Sequence, residues 1–131
     1  MEKQSANIKS FDEQKKIFIK TISQAEEVVR TKFILVIAAN TLDSTIGKGC
    51  TEDTESVRHM FKKLSEEMDF NFIELIIQGE DYGKENILGA IDMLTPGSND
   101  IVVFYYSGHG FSYEKDAAKK YPQVDLRPHP S

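Results

Sequence analysis

"DIVVFYYSGHG", residues 100–110, decides how this chain is read: an apolar, β-branched and aromatic run breaks off at Ser107-Gly108-His109-Gly110. A continuous apolar run bounded by turn residues is the mark of a strand covered on both faces, as in a parallel sheet. Two further runs have the same character, "KFILVIAAN" at 32–40 and "NFIELIIQ" at 71–78. Between them the periodicity changes to that of helices. After a polar loop, Thr51 is positioned to cap a helix with Glu52 and Asp53 in its first turn and Val57, Met60, Phe61 and Leu64 as its buried stripe. "GEDYGKEN" then turns into a helix with Ile87, Leu88, Ile91 and Leu94 on one face, and "PGSN" ends it before the third run. Upstream, Phe11, Phe18, Ile22, Ala25 and Val29 recur at helical spacing, which predicts an amphipathic helix within 11–30.

Strand, helix, strand, helix, strand implies right-handed crossovers and a mainly parallel sheet with helices on its faces, so the fold class is α/β. In such sheets ligands bind beyond the carboxyl ends of the strands. "SGHG" falls there if Tyr106 closes the third strand. Flanking glycines let the backbone take unusual dihedrals and leave amide groups open to a substrate carbonyl, while imidazole supplies a base titrating near neutrality. These features amount to half of an acyl-transfer site.

Composition excludes several alternatives. With 131 residues, 40% of them hydrophobic and 28% charged, the chain has the profile of one soluble domain. A net charge of −5, with lysine pairs set among acids, argues against a nucleic-acid partner. The amino terminus lacks a signal-peptide core, and no segment approaches the roughly 18 apolar residues of a membrane span. The expectation is a cytoplasmic protein without a membrane partner. The single cysteine, Cys50, excludes an internal disulfide, and His59, His109 and His129 lack metal-ligand spacing.

The string at 100–110 resembles the histidine motif of caspase-like cysteine peptidases, closest to the metacaspase and bacterial caspase-like branch. "GKGCTEDTESVRHMFKKL" (47–64) is similar to the Gly-Cys-x-x-Asp segment opening the first helix of metacaspases, and "KENILGAIDML" (84–94) to the helix before their third strand. The resemblance covers roughly residues 32–111, in order and spacing. It implies a caspase-like three-layer sandwich, incomplete in this chain. It divides the sequence into an amino-terminal helix (1–30), the histidine-bearing catalytic region (31–111) and a loop or truncated tail (112–131). By the resemblance, His109 activates a cysteine thiol and later protonates the leaving amine, and the Gly110 amide is one oxyanion donor. The implied partners are a peptide or protein substrate and a downstream segment or small subunit that carries the catalytic cysteine. Family nucleophiles sit at the end of the next strand, in an Asp-x-Cys type motif well beyond the histidine, and "SYEKDAAKKYPQVDLRPHPS" (112–131) reads as a polar loop. The alternative is a catalytically inactive caspase-like module that binds or regulates a partner.

The other chemistry-bearing residues have plainer readings. Cys50 lies at the same edge of the sheet as His109, and a helix amino terminus lowers a thiol pKa. Free cysteine is nevertheless usually a buried hydrophobe, and that reading is preferred here. His59 falls off the apolar stripe of its helix, and His129 stands between two prolines in the tail. "GKG" at 47–49 lacks the glycine and the serine or threonine of a phosphate loop. Glu52, Asp53 and Glu55 are explained by the helix dipole without calcium, and Lys48 as a solvated loop lysine. No metal and no cofactor is assigned.

Overall fold

The computed structural model describes residues 8–25, 30–112 and 121–128. Val29, His129 and the tail segment 113–120 fall outside that set. The elements are α1 (Phe11–Ala25), β1 (Lys32–Ala39), α2 (Gly47–Glu67), β2 (Asn71–Ile77), a 3₁₀ turn (Gly79–Asp81), α3 (Lys84–Met93), β3 (Ile101–Ser107), and two short strands, β4 (Gly110–Phe111) and β5 (Gln123–Val124). The main sheet has the order β2-β1-β3, all parallel, with Val36 opposite both Leu75 and Phe104. β4 and β5 form a separate antiparallel pair.

Three layers result, as the α/β alternation predicts. One face of the sheet presents Ile34, Val36, Leu75 and Ile77 to Phe11 and Phe18 of α1 and to Ile87 and Ala90 of α3. The other presents Phe33, Leu35 and Ile37 to Cys50, Val57 and Phe61 of α2. Phe33 anchors that second layer, with its ring 5.3 Å from Phe61. β1 is buried from Phe33 through Ala39, as its uninterrupted apolar run requires. Among the described residues, no helix is long and apolar enough to cross a membrane.

Four details differ from the sequence reading. β3 was expected to be covered on both faces, yet Ile101, Val102 and Phe104 are 38%, 38% and 42% exposed. β3 is the end strand, and the helices of the α1/α3 face pack over β1 and β2. The strand also closes at Ser107 rather than Tyr106. The helical stripes are rotated as well. α2 buries positions 47, 50, 54 and 65, with Val57 and Phe61 packed on the same line; Met60 falls about 100° from Phe61 and Leu64 on the same flank, and both are exposed. Leu88 and Ile91 stand beside the Ile87–Ala90 line of α3 for the same reason.

The fourth difference is the start of α2. Thr51 is not the cap: the helix begins at Gly47, and the Thr51 hydroxyl donates back to the Gly47 carbonyl. Asp43 serves the entry instead, its Oδ1 accepting the Thr45 and Ile46 amides at 2.8 and 2.9 Å. The dipole explanation of Glu52 and Asp53 therefore fails, because the first turn of α2 contains no acidic residue.

Candidate functional site

The carboxyl ends of β1 and β3 lie side by side, with Ala39 paired to Ser107 and the Asn40 amide continuing the ladder to the Ser107 carbonyl at 2.9 Å. Each strand delivers one component there. From β1 the chain turns through residues 41–46 into α2, a turn so tight that a Cβ on Gly47 would collide with the Thr41 carbonyl. That turn carries Asp43. From β3 the chain passes Gly108 and presents His109, whose Nε2 lies 3.0 Å from Asp43 Oδ2. The imidazole is 36% exposed and the Asp43 side chain 10%, so the pair has one buried and one open end.

Gly108 has a different physical reason from the one the sequence offered. A Cβ there would sit 2.5 Å from the Tyr106 hydroxyl. Close approach of that tyrosine, rather than a left-handed backbone, excludes a side chain; the glycine with positive φ among the described residues is Gly79. The Tyr106 hydroxyl uses this proximity to donate to the His109 carbonyl at 2.6 Å.

Residues 121–128 form a strap over this corner. The Asp125 amide donates to the His109 carbonyl at 2.9 Å, and the Asp125 carbonyl accepts from the Tyr82 hydroxyl at 2.7 Å, with the Tyr106 hydroxyl oxygen 2.9 Å away. Asn40 Nδ2 donates to the Pro128 carbonyl at 3.3 Å. The His109–Asp125 bond flanks the Gly110–Val124 pair, which makes that pair the non-hydrogen-bonded type and directs the Gly110 N–H away from β5. Beside it an open groove of about 420 Å³ is lined by Phe111, Val124, Leu126, Arg127 and Pro128.

Charges in the strap and the turn are paired. The Arg127 guanidinium, 2.7 Å from Asp125 Oδ2, pulls the Asp125 carboxyl down to about 2. The Ile46 and Thr45 amides hold the Asp43 carboxyl below its ordinary range, with His109 adding to the effect. Burial raises the Tyr82 phenol, which stays a proton donor.

The structure brings His109 and Gly110 to the carboxyl edge and gives the other candidates different surroundings. Cys50 is 3% exposed in the apolar cluster under α2, as a packed hydrophobe. Asp53 accepts from the Ser107 hydroxyl at 3.1 Å, tying α2 to the end of β3. His59 and Lys48 are exposed. Among the described residues, no group of three or more His, Cys, Asp or Glu side chains is arranged to hold a metal. A cavity of about 240 Å³ between α1 and β2, lined by residues such as Ile17, Phe18 and Glu74, lies at the other edge of the sheet from β3. Sequence reasoning missed Asp43, Tyr82 and Asp125. An available signal was the Asp43-x-Thr45-Ile46 turn, which has the spacing of a side chain that accepts the amides two and three residues on.

In the comparison with family models, residues 31–126 fit the model described as the caspase domain. No curated protein and no solved structure matches the chain.

Proposed function

The chain belongs to the caspase-domain family, and on that premise we propose that it is the histidine-bearing portion of a cysteine endopeptidase whose nucleophilic cysteine comes from a segment beyond Ser131. The observation that carries this reading is His109: a partly open imidazole at the carboxyl edge of a parallel sheet, fixed by a carboxylate on one side and next to an outward-directed amide on the other. In this reaction imidazole takes the proton of the thiol, and the thiolate attacks the scissile carbonyl of a peptide. The negative charge that develops on oxygen is met by the Gly110 N–H together with the amide of the nucleophile itself. Imidazolium then returns the proton to the departing amine, and water repeats the sequence to release the acyl group.

Among the described residues no strand pairs with the outer edge of β3, which supports the source of the thiol. Val102 and Phe104 are exposed there, and a further parallel strand on that edge would deliver its carboxyl end next to His109. The groove beside Gly110 offers apolar side chains and backbone to an extended substrate. Proteolysis in the cytoplasm, with metacaspase-like organisation, is the corresponding role. Protein longer than this chain, reaching through the next strand, is expected to hydrolyse peptide amides, and His109→Ala to lower the rate by about 10²-fold or more. Undiminished hydrolysis in His109→Ala would remove His109 from the mechanism.

One observation favours a second reading for this chain taken alone. Its cysteine is buried in the core, and without a thiolate no acyl intermediate forms. In that reading the chain acts as a binding or regulatory module, and a partner would be retained by His109→Ala.

A further inference from the structure

We propose that Asp43 is the positioning residue of His109: its carboxylate fixes the ring and keeps the imidazole proton on Nε2, so that Nδ1 is the nitrogen presented to the thiol. The inference rests on the reading of His109 as the base and deepens it.

The two oxygens of Asp43 have separate duties. Oδ1 accepts the amides of Thr45 and Ile46, while Oδ2 meets His109 Nε2 at 3.0 Å. The direction of Oδ2 is therefore set by the turn that starts α2, before any contact with the histidine. An ionised carboxylate has no proton to give, so a neutral imidazole that bonds to it must donate, and the donor is Nε2–H. The amides that hold Asp43 also keep it ionised. The backbone of the histidine is fixed independently, its carbonyl taking both the Tyr106 hydroxyl and the Asp125 amide. Ring rotation is the freedom left, and Asp43 removes it. When the ring becomes imidazolium, the same carboxylate compensates the new charge at hydrogen-bond distance.

A purely structural role, the support of the α2 turn, is the competing account, and one substitution separates the two. In Asp43→Asn the carboxamide oxygen is the atom able to accept from Thr45 and Ile46, which leaves the NH₂ group facing His109. That group only donates, so Nε2 must give up its proton and Nδ1 must take it. The turn survives and the tautomer inverts.

The experiment is ¹⁵N–¹H long-range NMR of the imidazoles in this chain, at a pH where they are neutral, with His109 assigned by its loss in His109→Gln. The expected result is a proton on Nε2 in the native protein and on Nδ1 in Asp43→Asn, with the Thr45 and Ile46 amides still protected from exchange. The same tautomer in both proteins would overturn the inference. Asp43→Ser keeps a short acceptor for the turn but cannot reach the ring, and it provides the test should the Asn variant not fold. There the His109 nitrogens should move to values averaged over both tautomers, and an unchanged native pattern would overturn the inference. In the longer protein carrying the thiol, Asp43→Asn should lower kcat by about 10²-fold or more with little change in KM. An inverted tautomer with unchanged kcat would overturn the positioning role. Absence of any hydrolysis in the native longer protein would instead count against the peptidase reading, since the NMR result does not depend on activity.

Discussion

At the β2 edge of the sheet the Gln14 side chain takes the place of a neighbouring strand: its Nε2 donates to the Ile76 carbonyl at 2.7 Å, and its Oε1 accepts the Ile76 amide at 2.6 Å. Phe11 and Phe18 of the same helix are buried against the adjoining face, and Arg58 closes on Glu74 at 2.6 Å nearby. At the β3 edge, no strand among the described residues pairs with the outer side, and Val102 and Phe104 stand exposed. One edge is sealed by residues within this chain, whereas among the described residues the edge that leads to His109 has no partner strand. An open strand edge is a liability unless something pairs with it, so the two edges differ in what completes them.

Removing apolar volume should reveal this asymmetry most strongly. Phe18→Ala, at 4% exposure, is expected to cost about 3–5 kcal/mol in urea unfolding. Phe104→Ala, at 42% exposure, is expected to cost under about 1 kcal/mol in this chain, since it leaves little cavity. Equal losses would mean that the β3 face is covered after all.

The polar seal comes next. Gln14→Leu strips both partners from Ile76, and about 1–2 kcal/mol should be lost, with faster amide exchange centred on Ile76. If that amide stays protected, Gln14 is not what finishes the edge.

Acid should loosen the two sides in sequence. A carboxyl with a depressed folded pKa stabilises the fold while ionised, so its contribution is present above the unfolded value near 4 and is lost as pH falls toward the folded value, about 2 for Asp125. Asp43 acts in the same direction. The Gln14 seal is neutral and does not titrate. Between about pH 4 and pH 2, exchange at the Asp125 amide should rise before exchange at Ile76. Simultaneous loss at both would show that the strap has no separate stability.

The smallest effect belongs to α2. Ser65 Oγ is buried with no hydrogen-bond partner among the described residues, so Ser65→Ala should leave stability unchanged or raise it by up to about 1 kcal/mol, read as a rise in the urea midpoint. A clear fall would mean that the hydroxyl is satisfied in solution.

How much of this was legible in the sequence follows from the range of each interaction. The runs at 32–40, 71–78 and 100–107 gave strands because continuous apolar character is a local property, and their alternation with helices gave the parallel topology. The helical stripes were legible in part: Phe11, Phe18, Val57, Phe61 and Ile87 pack as expected, whereas Met60, Leu64, Leu88 and Ile91 are exposed, because adjacent apolar residues such as Met60 and Phe61 compete for the same face and packing against Phe33 decides between them. His109 and Gly110 were visible as a glycine-flanked histidine ending a strand. Asp43 was not, since its contact with His109 joins residues 66 apart and depends on how β1 and β3 pair. The strap was hidden for another reason: Asp125 acts through its backbone N–H and C=O, which leave no side-chain pattern to read.

The central claim, that His109 serves a thiol delivered to the open edge, is tested most directly by a thiol-reactive peptide probe read out by intact mass, on protein extended beyond Ser131 and on its His109→Ala variant. The account predicts one label on a cysteine of the added segment, lost in the variant, with Cys50 unlabelled. Labelling at Cys50, or labelling of the added cysteine that persists without His109, would contradict it.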